Sequence, residues 1–222
     1  MKKTTATLLL LLFFFVARGQ YIRPEGAVSG DYHTHKGFHF EFGLGPAFGI
    51  ITDDGTFAGG HYVIDFSGTG FGIDIRVGGF VQENLALTFD VISKAVSAPT
   101  LTLKGISVAT SSDYSISEVT YGGGLTYYLM PSDIFFSATL GTGAFVSQSN
   151  VSGRNITSRT DYGFSFQLKA GKHWWISNKW GISLSGAFGT TSASDSGVDV
   201  NGIYTDNLSS SRFTISVSIG NH

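Results

Sequence analysis

The sequence predicts an all-β chain, an eight-stranded antiparallel up-and-down transmembrane β-barrel. Three observations lead there. Apolar residues alternate with small or polar ones along eight separate stretches, and side chains on a strand point to opposite faces with period two. Charged residues are only 14% of the chain, against about 25% in soluble domains, too few to build a water-facing surface. The links between stretches alternate short and long, as in barrels that cross an outer membrane.

The chain opens Met1-Lys2-Lys3, runs apolar from Leu8 to Val16, and continues Ala17-Arg18-Gly19. A basic start, a short apolar core and small residues before a cut predict a signal peptide, residues 1–19, cleaved after Gly19. The apolar run is well short of the roughly 20 residues that a spanning helix needs. No later run is longer, so a chain that spans a membrane here must do so as a barrel. Residues 20–36 are read as a short periplasmic segment and 37–222 as the barrel.

The first strand, from about Gly37 to Ile50, puts Phe38, Phe40, Phe42 and Leu44 on one face and His39, Glu41, Gly43 and Gly45 on the other. The second, about Gly70 to Val81, sets Phe71, Ile73, Ile75 and Val77 against Gly72, Asp74, Arg76 and Gly78. A turn at Gln82-Glu83-Asn84 leads to the third, where Leu85, Leu87, Phe89 and Val91 alternate with Ala86, Thr88 and Asp90. The fourth, about Tyr114 to Leu129, opposes Val119, Tyr121, Leu125 and Tyr127 to Glu118, Thr120, Gly122 and Thr126. Its early residues Tyr114 and Ile116 have the other parity, which predicts a bulge or emergence from the membrane. After Met130-Pro131-Ser132-Asp133 the fifth carries Ile134, Phe136, Ala138 and Leu140. The sixth opposes Tyr162, Phe164, Phe166 and Leu168 to Gly163, Ser165, Gln167 and Lys169. Past Ser177-Asn178-Lys179, the seventh carries Trp180, Ile182, Leu184 and Phe188, and the eighth Phe213, Ile215, Val217 and Ile219.

The remaining stretches, 51–69, 92–113, 146–160 and 189–210, are rich in Ser, Thr, Gly, Asn and Asp and read as four external loops. An even strand count places both termini in the periplasm. Trp174, Trp175 and Trp180 around one short turn, and Tyr127 and Tyr128 before another, are expected to form an interfacial aromatic belt. A soluble barrel with its apolar row pointing inward would need a charged outer row, whereas that row is mostly Gly, Ser, Thr and Ala. Such small side chains suit the lumen of an eight-stranded barrel, which side chains just fill.

The chain carries 14 basic and 16 acidic residues. Loss of Lys2, Lys3 and Arg18 with the signal leaves 11 basic against 16 acidic, a balance with no electrostatic footprint for nucleic acid. There is no Cys, which suits an exported protein that does not rely on disulfides.

Lys36-Gly37-Phe38 leading into Gly43-Leu44-Gly45, and Gly78-Gly79 before Asn84-Leu85-Ala86-Leu87, resemble the small eight-stranded outer-membrane proteins of the OmpA membrane-domain and OmpW type. Tyr127-Tyr128 before Pro131 and Gly171-Lys172-His173-Trp174-Trp175 with Trp180-Gly181 extend the likeness over residues 36–220. The resemblance implies a fold and an outer-membrane location, and no activity. Barrels of this kind commonly finish on an aromatic that the insertion machinery reads, whereas this chain ends Gly220-Asn221-His222.

The expected lumen holds Glu41, Asp74, Arg76, Asp90, Glu118 and Lys169. Arg76 is expected to bridge Glu41 and Asp90, with Lys169 reaching in from the far wall, because buried charges need partners. That predicts a salt-bridged plug rather than a polar gate. Other candidates carry less. His33 and His35 fall on one side of an extended chain but lack further ligands beyond Asp31, so no metal site is assigned. His61 with Asp65 and Ser67 would suit a lipid A-modifying enzyme only if the three converged. Asp195, Asp199 and Asp206 read as solvated loop residues rather than a calcium site. Asn150-Val151-Ser152 and Asn155-Ile156-Thr157 match the glycosylation pattern by coincidence.

The sequence therefore predicts a monomeric, non-enzymatic outer-membrane barrel with a largely occluded lumen, structural in the envelope or passing small apolar solutes. The alternative is a surface-binding module acting through its four loops. No catalytic residue, metal or cofactor is assigned. The expected partners are outer-membrane lipid, lipopolysaccharide and the barrel-insertion machinery.

Overall fold

The computed structural model describes residues 34–57, 59–151, 154–199 and 202–221. The expected signal peptide, and the segment 20–36 up to His33, lie outside the described residues. Those described form β1 (Phe38–Phe57), β2 (Gly60–Gln82), β3 (Leu85–Ser97), β4 (Thr100–Leu103), β5 (Ile106–Ala109) and β6 (Tyr114–Leu129). After these come β7 (Ile134–Val151), β8 (Arg154–Arg159), β9 (Gly163–Trp175), β10 (Trp180–Asp199) and β11 (Gly202–Asn221).

Eight of these strands close a ring. β1, β2, β3, β6, β7, β9, β10 and β11 pair in that order, each antiparallel to the next, and β11 returns to β1. Closure leaves the ring without a free edge in its lower half. β4 and β5 form a hairpin arm on β2, and β8 pairs with β7.

The alternation read from the sequence puts large apolar side chains on the outside. Leu44, Phe71, Leu87, Phe89, Leu125, Phe136, Leu140, Phe164, Phe188 and Val217 are all exposed, while the residues between them are buried. That is the inverse of a soluble fold, and it is what a lipid-facing barrel requires. The tight turns at one end, here the turn end, use Asn84 (φ 64°) and Asp133 (φ 54°), residue types that tolerate left-handed backbone.

The opposite end, the crown, differs from expectation. The stretches 51–69 and 189–210 are almost entirely strand, with β1 paired to β2 as far as Phe57 opposite Gly60 and β10 to β11 as far as Asp199 opposite Gly202. Their Ser, Thr and Gly content resembles loop composition, but the period of two continues through them. What changes is which face is apolar. On β1, Leu44, Phe48 and Ile50 point outward, whereas the next apolar residue, Ile51, is buried inside. Ile51, Phe66, Val96, Ile116, Phe145 and Ala193 then build an apolar core within the crown. Tyr114 and Ile116 therefore mark emergence from the lipid-facing zone. No bulge is needed there, since β6 keeps continuous register with β3 and β7; the register shift occurs between Phe80 and Gln82 instead.

Candidate functional site

Inward-facing positions at successive heights supply four layers of side chains, and the ladder register decides which residues share a layer. At the turn end, Lys36 and Gly37 lead the chain into β1, and His35 is fully buried. His35 is fixed by its amide donating to Asn84 Oδ1 (3.2 Å), by the Asn84 amide donating to its carbonyl (3.0 Å), and by Nε2 donating to Asp133 Oδ1 (3.0 Å). Its ring stacks on Tyr128 at 3.7 Å and lies 4.8 Å from Trp175. His39 and His173 complete this layer, with His173 Nδ1 3.0 Å from Ser183 Oγ.

This layer corrects the expected aromatic belt. Tyr127 and Trp180 are exposed on the outside, but Tyr128 is buried and Trp175 joins the His35 cluster. Adjacent residues on a strand face opposite ways, so Tyr127-Tyr128 and Trp174-Trp175 each supply one residue to the outside and one to the lumen. Trp174 takes the outer place, with Lys172 Nζ 5.9 Å from its ring centre.

The second layer holds five charges. Lys169 Nζ donates to Glu41 Oε1 (2.5 Å) and Asp74 Oδ2 (3.1 Å). Arg76 Nε donates to Asp74 Oδ1 (3.1 Å) and lies 3.8 Å from Asp90 Oδ2. Asp90 also accepts from Thr88 (2.6 Å) and Thr139 (2.5 Å). Glu41 and Arg76 are partners in the ladder, yet Arg76 does not bridge Glu41 to Asp90 as expected. Its guanidinium crosses the lumen to Ser137 and Thr126 on the far wall, leaving Glu41 to Lys169. Gly124 makes this layer possible, since a Cβ there would come within 2.3 Å of Asp90 Oδ2.

The third layer surrounds Glu118, which accepts from Thr191 and Ser210 (2.7 Å each) and lies 3.3 Å from Arg212 Nε. Lys94, its ladder partner, is also buried. Lys94 and Arg212 were not among the six expected lumen charges because they lie beyond the strand ends read from sequence. Both could have been found by extending the alternation, Thr88-Asp90-Ile92-Lys94 on one strand and Ser218-Ser216-Thr214-Arg212 on the other. With them included, the buried charges are Glu41, Asp74, Asp90 and Glu118 against Arg76, Lys94, Lys169 and Arg212, a neutral set. A void of about 10 Å³ lies between the second and third layers, bordered by Asp74, Lys94, Gln167 and Thr214.

The fourth layer is the crown. Two apolar rows cross its inner wall: Ile51, Phe66 and Leu101, then Leu208, Asp53 and Ile64, with Asp53 the one charge. Above Asp53, Tyr62 Oη donates to Asp206 Oδ1 (2.6 Å), and Asp206 is the ladder partner of Asp195. Burial, followed by the nearby Asp206 and Asp54, pushes the Asp53 carboxyl up to about 6.

The other candidates separate. His61 pairs with Asp54 (2.8 Å) and Asp65 accepts from Thr52 (2.7 Å), all on the outer face. Ser67 stands six positions along β2 from His61, about 20 Å at strand rise, so the three do not meet. The ring of His35 is taken up in the turn-end layer, while His33 is outside the described residues, as are the Asp199 side chain and Ser152. Among the described residues, no group of three His, Cys, Asp or Glu is placed to hold a metal ion.

A closed eight-strand ring with an apolar exterior and a charged interior defines an integral β-barrel of the outer-membrane type. Among solved structures, the outer membrane protein OprG from Pseudomonas aeruginosa is similar, with a TM-score of 0.52 at 12% identity, covering 86% of this chain and 100% of that one. Neisserial surface protein A matches with a TM-score of 0.45 at 10% identity, covering 83% and 96%. The outer membrane protease OmpT from Escherichia coli matches at 0.43 and 10%, covering 88% and 99%. The likeness of fold rests on OprG. No protein-family model and no curated protein matches the sequence.

Proposed function

We propose that this barrel is a non-enzymatic envelope protein whose lumen is a structural plug. One observation carries the reading. The lumen charges form a neutral set, seven of the eight held in short ion-pair contacts, and the void between their layers is about 10 Å³, room for roughly one water. An ion would have to break buried pairs to pass, and an apolar solute gains nothing by crossing two charged layers. The crown then faces the cell exterior and the turn end the periplasm, with short periplasmic turns as the usual arrangement. Outer-membrane lipid and lipopolysaccharide surround the apolar wall, the insertion machinery delivers the chain, and a closed ring suits a monomer.

Planar-bilayer recording of the purified protein tests this. The expected result is no steady conductance, and for Arg76→Ala a lowered unfolding temperature on heat-modifiability gels. Steady conductance in Arg76→Ala with unchanged thermal stability would show that Arg76 gates a path, and the plug reading would fail.

A second reading, surface binding through the crown, is favoured by its exposed apolar tips. Ile106 is 70% exposed, Ile203 71% and Val198 80%, on strand ends that hold them clear of the lipid-facing zone. Loss of cell or lipopolysaccharide binding when crown strands are trimmed would support it.

A further inference from the structure

Between the crown's two walls lies a cavity of about 100 Å³. One wall, from β1, β2, β10 and β11, contributes Asp53, Phe66, Asp195 and Asp206; the other, from β6, β7 and β8, contributes Tyr114, Phe145 and Arg159. The floor is carbon. Phe66 and Tyr114 stack with ring centres 5.9 Å apart, and Ile116 and Phe145 are buried beside them.

The carboxylates above that floor lack a countercharge among the described residues, although Asp206 accepts the Tyr62 hydroxyl. Asp53 sits alone in an otherwise apolar row; the residue is half-buried, and its Oδ1 is shut off from solvent with no hydrogen-bond partner among the described residues. Neither Asp53, Asp195 nor Asp206 lies within salt-bridge distance of a cation among the described residues. Arg159, the cation on the lining, is held over the Tyr162 ring at 4.2 Å. A buried acceptor without a donor is costly, and a carboxylate in an apolar row is relieved by a cation that brings its own carbon surface.

We infer that this cleft binds an alkylammonium group, with the ammonium against Asp53 and Asp206 and the alkyl stem on the Phe66–Tyr114 floor. The physical argument separates this from a divalent metal. Calcium takes six to eight oxygen ligands, whereas half of this lining is hydrocarbon. An ammonium offers three donors on a compact head, and aromatic rings attract cations that have shed water. The same chemistry is found in a free aliphatic amine and in a lysine side chain of a protein partner. The inference rests on the crown being a binding face and is independent of whether the lumen conducts.

Calorimetric titration of the full-length protein in detergent micelles tests it, with n-butylammonium as ligand and n-butanol as its uncharged counterpart. Saturable one-site binding of n-butylammonium is expected, at least tenfold tighter than n-butanol. Asp53→Asn should weaken it at least tenfold, and the outer-face control Asp54→Asn should change it less than twofold. Retained heat-modifiable mobility shows that each variant is folded. In a further arm, tighter binding of a blocked Gly-Lys-Gly peptide than of the free amine points to a protein partner, and the reverse order to a small solute. Either supports the site. Equal binding of amine and alcohol, unchanged affinity in Asp53→Asn, or displacement by micromolar calcium would overturn it. If no amine binds while crown trimming still abolishes cell binding, this assignment falls and the surface-binding reading stands.

Discussion

At the scale of single residues, the lumen is a problem in compensation, and its two lysines solve it differently. Lys169 holds Glu41 and Asp74 together across the ring, whereas Lys94 is buried with no ion pair or side-chain hydrogen bond among the described residues. Lys169→Met removes one partner from a bonded set and should cost about 3–5 kcal/mol, because it strands buried carboxylates. Lys94→Met removes a charge that makes no direct contact with a carboxylate and feels its ladder partner Glu118 only at longer range, so it should change stability by less than about 1 kcal/mol. Urea unfolding in bilayers, comparing the two, checks the order; an equal loss would mean that Lys94 is held by Glu118 after all. Room for Lys94 comes from Gly189, where a Cβ would stand 2.7 Å from Nζ. The sequence made most of this legible. Period two assigned Glu41, Asp74, Arg76, Asp90, Glu118 and Lys169 to one face, but which cation meets which carboxylate depends on side-chain reach across a lumen, and that leaves no local trace. Doublets such as Tyr127-Tyr128 were opaque for a related reason, since composition marks the pair and only strand phase separates its members.

At the scale of elements, strand existence in the lipid-facing zone was plain from large apolar residues, and strand ends were not. Beyond Ile50 on β1 and before Phe71 on β2 the ladder continues without the lipid-facing signature. The same backbone pairing there carries Ser, Thr, Asp and Gly, because its outer face meets water. The exception is the arm of β4 and β5, which pairs only with β2 and leaves Ile106 and Val108 exposed. The ring does not need it, for Ser97 and Ser115 are already ladder partners. Replacing residues 99–113 by an Asn-Gly turn between Ala98 and Tyr114, whose backbones already hydrogen-bond, suits a two-residue hairpin and should leave a folded, heat-modifiable barrel of near-wild-type stability. Failure to fold would show that the arm's contact through Leu101 with the crown core is required for closure.

At the scale of the whole molecule, two apolar zones of opposite direction are stacked along one axis, lipid-directed below and core-directed above. The lower zone predicts a steep response to charge on its outside. Leu125→Arg, on the outer face between Gly124 and Thr126, should cost about 2–4 kcal/mol if it lies near the bilayer midplane. Unfolding in phosphatidylcholine vesicles of known thickness measures this, and a cost near zero would place Leu125 at the headgroups. The ring itself closes through a contact between its most distant parts, Phe40 beside Asn221. Bringing such remote segments together carries a loop-closure entropy and slows folding. Among the described residues, Glu118, on β6, takes its bonded partners from β10 and β11, namely Thr191, Ser210 and Arg212. Until the last strands arrive this carboxylate faces Lys94 across the β3–β6 ladder but lacks its hydrogen-bond donors and its close cation, so the third layer is completed only as the seam between first and last strands is made. Assembly is thereby pushed toward a single concerted event, in which a half-built barrel is penalised from within and a finished one is locked by its final strand.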